Sequence, residues 1–202
     1  SEFFLNRYAG VNTANGEQLW YDKNGNVTNE FRESDKVMTG KTYDAPWMGG
    51  FGTSFRWKGL QLSAQFSWIG TRYVINNDRY FEEGGVTFGT AYNQSRRVLY
   101  NRWKNPGDIT DIPKWGEVNQ LDDRYLENAS FLRLKNLSLS YSLPQAWLSK
   151  TKFFTLVRIY AQAQNLFTIT GFNGLDPEVS SNVYRAQYPA SRQFTLGMEV
   201  SF

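Results

Sequence analysis

The chain has 202 residues, 41% hydrophobic and 17% aromatic, with no cysteine, no histidine and a net charge of +3 from 22 basic and 19 acidic side chains. Zinc–thiolate, imidazole-base and haem chemistry are therefore excluded, no disulfide speaks for a redox compartment, and carboxylates are the remaining ionisable candidates. The mild basic excess is not the clustered Lys and Arg footprint of a nucleic-acid binder, and no apolar run reaches the roughly eighteen residues of a membrane helix; membrane strands stay allowed.

Residues 1–30 have neither the basic start nor the apolar stretch of a signal peptide, so an exported protein would have its true N-terminus outside this chain. Residues 1–48 read as a loop excursion, with Phe3 to Tyr8 as a candidate preceding strand. Asn15-Gly16 and Asn24-Gly25 mark tight turns around Leu19-Trp20-Tyr21, which reads as a small hairpin. Pro46 forces an extended return through Trp47 and Met48.

Alternation starts at residue 49. Phe51, Thr53, Phe55 and Trp57 share one face of a strand, opposite Gly52, Ser54, Arg56 and Lys58. After a turn at Lys58-Gly59, Leu60, Leu62, Ala64, Phe66 and Trp68 alternate with Gln61, Ser63, Gln65 and Ser67, in a strand expected over 60–75. Trp57, Trp68 and Tyr73 bound these apolar faces, where amphipathic rings sit at a bilayer interface.

Residues 76–129 form a long polar excursion rich in Arg, Asp and Glu, with a turn at Asn105-Pro106-Gly107-Asp108. Connections of that length are uncommon in a compact soluble domain unless functional. Strand character returns over 131–143, where Leu137, Leu139, Tyr141 and Leu143 oppose Ser138, Ser140 and Ser142. Upstream the parity differs, with Leu132 and Leu134 against Arg133 and Lys135. Either a bulge near Asn136 flips the faces, or both cations point outward near the rim, where lipopolysaccharide phosphates could pair with them. Outward cations are tolerable only there, since one on the lipid face costs roughly 2–4 kcal/mol at the midplane but about 0–1 near the interface.

Gln145 to Lys152 reads as a compact turn with Trp147 as an interface anchor. In the strand over 155–168, Val157, Ile159, Ala161 and Ala163 alternate with Arg158, Tyr160, Gln162 and Gln164. A loop over 169–191 carries the aromatics Phe172, Tyr184 and Tyr188. The terminal strand, 192–202, sets Phe194, Leu196, Met198, Val200 and Phe202 against Thr195, Gly197, Glu199 and Ser201. That is the length and pattern of a transmembrane β-strand, roughly 9–11 residues.

Counting crossings back from the end places the long connections 76–129 and 169–191 on one side, and the turns at 58–59 and 144–153 on the other. Long outer loops and short inner turns are the asymmetry of an outer-membrane barrel. The fold class expected is all-β, with residues 49–202 supplying antiparallel strands of a transmembrane barrel. Five crossings, or six with Phe3 to Tyr8, cannot close one, since small barrels need about eight. The chain is expected to be the C-terminal part of something larger.

Several ordered runs carry a family resemblance. Ser130-Phe-Leu-Arg-Leu-Lys-Asn-Leu-Ser-Leu-Ser-Tyr-Ser-Leu-Pro144, Ala163-Gln-Asn-Leu-Phe-Thr168, Gly174-Leu-Asp-Pro-Glu178, Tyr188-Pro189 and Phe194-Thr-Leu-Gly-Met-Glu-Val-Ser-Phe202 resemble the C-terminus of SusC/RagA-type TonB-dependent outer-membrane importers. Trp103-Lys-Asn-Pro-Gly-Asp-Ile-Thr-Asp-Ile-Pro113 and Gly49-Gly-Phe51 resemble the same family's upstream loop and strand. The likeness covers most of 43–202 and only loosely 1–42. It implies a roughly 22-stranded barrel with long extracellular loops, filled by a plug domain and powered through a TonB box by TonB-ExbB-ExbD. It also implies a SusD-like lipoprotein cap, a Gram-negative outer-membrane location and Phe202 as an assembly signal. Nothing in this chain corresponds to the plug or the TonB box.

The function expected is active import of an oligosaccharide or oligopeptide, with no cofactor and no nucleic acid partner. Trp103, Phe172, Tyr184 and Tyr188 are candidate substrate- or partner-facing loop residues, to stack on sugar rings or pack against a lid, or simply to stabilise the loops. Arg56, Gln65, Arg158, Gln162, Gln164 and Glu199 are lumen-facing candidates, to hold the plug, line water or contact cargo. The competing class is a soluble β-sandwich, as in a glycan-binding or adhesin module. An enzyme is a weak third: Asp108 with Asp111, or Glu82 with Glu83, are paired acids without an orienting constellation, and Gly49-Gly50 precedes a strand rather than the helix of a phosphate cradle.

Overall fold

The computed structural model describes residues 2–84 and 93–202; the part of the 76–129 excursion numbered 85–92 lies outside the described residues. In chain order the strands are β1 (Glu2–Leu5), β2 (Arg7–Val11), β3 (Gln18–Tyr21), β4 (Val27–Thr28), β5 (Val37–Thr42), β6 (Trp47–Trp57), β7 (Leu60–Gly70), β8 (Tyr73–Asn76), β9 (Leu126–Asn128), β10 (Phe131–Ser142), β11 (Leu156–Thr170), β12 (Val183–Tyr184) and β13 (Gln193–Ser201). The α-helices are α1 (Asn77–Glu82), α2 (Arg96–Asn101) and α3 (Gln145–Thr151). Two compact units share the chain: a sheet unit of Ala45–Thr71, Ser130–Gly171 and Tyr188–Phe202, and a loop unit of Ser1–Asp44, Arg72–Ala129 and Phe172–Gln187.

The sheet unit is one antiparallel layer in the order β13-β11-β10-β7-β6. Its alternation is the sequence's own: Phe55 pairs with Leu62, Leu62 with Leu139, Leu139 with Ala161, and Ala161 with Leu196. The β6–β7 hairpin turns on Lys58 (φ 46°) and Gly59 (φ 87°), the pair of positive φ values that a type I′ turn requires. A β-carbon on Gly59 would lie 2.5 Å from the Ser142 carbonyl oxygen, so glycine is needed for space as well as for φ.

The parity change in β10 has a physical cause. Leu134 pairs with Phe66 and Asn136 with Gln65, so Lys135 is one residue more than β7 spends there. On the other side β11 spends a further residue, passing from Gln164 to Phe167 while β10 passes from Asn136 to Leu134; Asn165 takes a left-handed φ of 51°. The bulge alternative therefore holds. It brings Leu132 and Leu134 onto the face of Leu137 and Leu139, and sends Arg133 to the polar face, where its Nε donates to Thr168 Oγ1 at 2.8 Å.

Other expectations need correction. The crossing foreseen over 60–75 stops at Gly70, because Thr71 adopts a left-handed φ of 58° and the chain restarts as β8 in the loop unit. Phe3 to Tyr8 is not a sixth crossing: β1 pairs with β5 and β2 with β3. Trp47 and Met48 belong to β6. The compact turn after Pro144 is the helix α3, ended by Lys152 at φ 56°.

The loop unit holds three small sheets, β1-β5, β2-β3-β4 and β12-β8-β9, with β12 parallel to β8. The foreseen hairpin around Trp20 is β2-β3-β4. Consecutive residues of β8 serve two cores, since side chains alternate across a strand: Ile75 joins Phe3, Leu5, Tyr125 and Leu126, whereas Val74 joins Ala129, Phe172, Val179 and Tyr184.

Candidate functional site

In the sheet unit the two faces differ in chemistry. On one, Phe51 (54% exposed), Leu62 (40%), Ile159 (46%) and Met198 (65%) are left uncovered in a row-by-row apolar surface. Phe51 stacks on Phe66 with ring centroids 4.8 Å apart. Aromatic side chains cluster at the turn end: Trp57 and Trp147 are exposed, and Phe153 stacks on Phe202 at 5.6 Å.

The opposite face carries the polar residues singled out in the sequence. Register rows place Arg56 beside Gln61, Gln65 beside Gly52 and Asn136, Gln164 beside Asn136 and Gln193, and Gln162 between Ser138 and Thr195. Asn136 Nδ2 donates to Gln65 Oε1 at 3.1 Å. Arg158 pairs directly across the strands with Glu199, 3.9 Å apart, and donates to Ser140 Oγ at 3.2 Å. All six candidates thus share one polar face. Tyr160 lies flat over Gly197, where a β-carbon would come within 2.3 Å of its ring.

The loop unit is organised by two arginines whose side chains are largely withdrawn from solvent. Arg124 lies over the Tyr8 ring at 4.1 Å and the Tyr125 ring at 5.0 Å. It contacts Asp122 at 3.1 Å and donates to Gln18 Oε1 at 2.6 Å. Asp122 also accepts from Trp20 Nε1 at 2.8 Å. Burial pushes the Asp122 carboxyl above the usual carboxylate range, against the opposing pull of Arg124. Burial likewise raises the Tyr125 phenol to about 12, although its hydroxyl donates to Asn119 Oδ1 at 2.7 Å.

Arg79 is the second centre. It reaches Glu83 at 3.0 Å, Glu127 at 3.1 Å and Asp111 at 3.5 Å, while Arg97 bridges Glu83 at 2.5 Å and Asp111 at 2.6 Å. Arg79, Glu83, Arg97 and Asp111 line a cleft of about 660 Å³, with Asp78, Glu82, Asn173 and Tyr184 also on its walls. Glu82 is raised above the usual range by burial, then by Asp78 and Glu83. The cleft is polar: Arg79 and Arg97 pair with Glu83 and Asp111, and Asp78 and Glu82 add further carboxylates to its wall. Asp108 instead closes a turn, accepting from the Lys104 and Asn105 amides at 2.9 Å each, which lowers its pKa.

The loop aromatics are placed differently from one another. Tyr188 is fully exposed. Trp103 rests on the β2–β3 turn, its ring against Gly16 and its Nε1 donating to Thr13 O at 3.1 Å. Phe172 (7% exposed) and Tyr184 (1%) are not displayed: they meet edge to face at 5.0 Å in a core, and the Tyr184 hydroxyl accepts from the Leu175 amide at 2.9 Å. As placed, both stabilise the loop unit, with only the Tyr184 edge reaching the cleft. Sequence reasoning missed Arg79, Arg97 and Arg124. The run Asp122-Asp123-Arg124-Tyr125 is a local hint, but pairing with Trp20 and Gln18 more than a hundred positions away leaves no periodic signal.

No protein-family model matches the chain. It is similar to TonB-dependent receptor P3 of Formosa agariphila, at 30% identity over 200 residues, covering 93% of this chain and 19% of that protein. It is similar to TonB-dependent receptor SusC of Bacteroides thetaiotaomicron, at 30% identity over 201 residues, covering 96% of this chain and 19% of that protein. Solved structures of the RagAB peptide importer in its open-open and closed-closed states match with TM-scores of 0.90 and 0.88 at 39% and 40% identity. They cover 100% of this chain and 22% and 23% of the matched chains. The chain thus spans about one fifth of the length of these relatives.

Proposed function

Because the chain belongs to the SusC/RagA-type family of TonB-dependent receptors, we propose that it forms barrel wall and surface loops of an outer-membrane importer of oligosaccharides or oligopeptides. The observation that carries this reading is the single-layer sheet with one uncovered apolar face and one polar face. In a β-sandwich Leu62, Ile159 and Met198 would be covered by a second layer; here they are 40%, 46% and 65% exposed. In a barrel wall that face meets acyl tails, and the polar face, with Arg56, Gln65, Arg158, Gln162, Gln164 and Glu199, meets the lumen and plug. The edge strands β6 and β13 each have one side without a partner strand among the described residues. In hydrocarbon each such backbone group costs several kcal/mol, so further strands of the barrel must pair there.

By family, the working assembly includes a plug, a TonB box engaged by TonB-ExbB-ExbD, and a SusD-like lipoprotein over the outer loops. Trp103 and Tyr188 remain candidates for contact with cargo or cap. The reading is tested by deleting the full reading frame, following uptake of candidate oligomers, and identifying co-purified cargo by mass spectrometry. Loss of one oligomer's uptake, restored by the wild-type gene, is the expected result. Unchanged uptake of every glycan and peptide offered, with the protein recovered in a soluble fraction, overturns it.

A further inference from the structure

The turn end of the sheet unit combines an aromatic band with cations that nothing neutralises. Lys58, Lys150 and Lys152 are all exposed, and none takes part in an ion pair among the described residues. Lys58 Nζ stands 5.1 Å from the Trp57 ring centroid. The segments 55–62, 140–160 and 196–202 contain one acidic side chain, Glu199, which faces Arg158. Hydrogen bonds fix the lysine-bearing turns to one end of the sheet. Ser142 donates its amide to Gly59 O at 2.9 Å, and Thr155 donates to Ser201 O at 2.8 Å. Leu148, 3% exposed, anchors α3, so that Trp147 stands out at 60%. Phe153, at 62%, stacks on Phe202.

We propose that this end binds anionic phospholipid of the phosphatidylglycerol type in the leaflet at the turns. Acyl chains would lie against Trp57, Trp147 and Phe153, and the headgroup phosphate against Lys58, Lys150 and Lys152. Aromatic rings settle at headgroup depth, and lysine stems extend past them to place the ammonium in the phosphate layer. A zwitterionic headgroup offers its own ammonium beside the phosphate and gains less from three cations. Each lysine at an anionic surface contributes up to about five-fold in partitioning, and one headgroup shared by three of them gains less than the product.

The proposal rests on the barrel reading, and its test starts from the complete, membrane-assembled transporter, verified by heat-modifiable gel mobility. Delipidated transporter is titrated with phosphatidylglycerol or phosphatidylethanolamine, and bound lipid is counted by native mass spectrometry. Phosphatidylglycerol should be retained over phosphatidylethanolamine by on the order of tenfold. The triple variant Lys58→Gln, Lys150→Gln, Lys152→Gln should bring that preference within about twofold, whereas Lys23→Gln, Lys36→Gln, Lys104→Gln leaves it unchanged. Equal retention of the two lipids, an unaffected triple variant, or displacement by deacylated glycerophosphoglycerol as effective as by the lipid overturns the proposal. A transporter that fails to assemble in membranes would instead overturn the barrel reading.

Discussion

Gln65 and Phe66 are neighbours in the chain with opposite surroundings, one bonded to Asn136 on the polar face and the other stacked on Phe51. Phe66→Arg puts a cation among acyl tails at roughly 2–4 kcal/mol, whereas Gln65→Arg stays in a polar row. Heat-modifiable mobility of the full barrel should therefore be lost or strongly reduced for Phe66→Arg and kept for Gln65→Arg; equal tolerance of the two contradicts the face assignment. Tyr125 gives a pH-dependent expectation. Its phenol is raised from 10.0 to about 12 by burial, so between those values the unfolded chain ionises while the folded loop unit still binds the proton. Its contribution to stability is complete below pH 10 and is lost as pH rises toward 12. Tyr125→Phe should flatten that alkaline loss in thermal melts, while losing about 1 kcal/mol at neutral pH with the bond to Asn119. At this scale the sequence was legible where period two applied: every polar-face candidate in β6, β7, β11 and β13 landed on one face. Phe172 and Tyr184 were not legible as core, because an aromatic in a polar loop looks the same whether it is displayed or packed beneath Val179.

The elements show where alternation ends and backbone geometry takes over. The strands β6, β7, β10, β11 and β13 were each readable, but β7 stops at Gly70 because Thr71 takes a left-handed φ, which a threonine does not announce. The β10 bulge left a trace, since Leu134 and Leu137 share a face at odd spacing. Deleting Lys135 should remove the extra residue against β7 and leave Leu132, Leu134, Leu137 and Leu139 in plain alternation on one face, whereas deleting Ser138, where no bulge exists to absorb the change, forces either Leu137 or Leu139 onto the polar face. Heat-modifiable mobility should survive deletion of Lys135 and Lys135→Gln, and be lost on deletion of Ser138. At the hairpin, Gly59→Ala adds a β-carbon 2.5 Å from the Ser142 carbonyl at a φ of 87°. A loss of about 1–3 kcal/mol in barrel unfolding is expected. Lys58→Gly, which relieves a positive φ, should be neutral or stabilising in the same measurement.

Across the whole molecule, the loop unit depends on charges drawn from well-separated parts of the 76–129 excursion. Arg79 in α1 joins Glu83, Asp111 and Glu127, and Glu127 Oε2 in turn accepts from the Asn173 amide at 3.1 Å. Removing one partner of such a buried cluster leaves the others uncompensated, at about 3 kcal/mol or more. Arg79→Ala should make the loop unit sensitive to limited proteolysis in intact cells while the barrel still assembles; unchanged proteolysis would dismiss the cluster as a structural centre. Only Arg79 and Glu83, four residues apart, had a local signature; the pairs to Asp111 and Glu127, dozens of residues away, carry no period. The discontinuity of the unit also sets a timetable. Val74 and Ala129 cannot complete their core until Phe172, Val179 and Tyr184 arrive from the third excursion, and β12 adds to β8 only then. Completion of the loop unit is thereby tied to the passage of β10 and β11, the strands between. Protease resistance of the loop unit should therefore lag behind insertion of β10 and β11, and need not wait for β13.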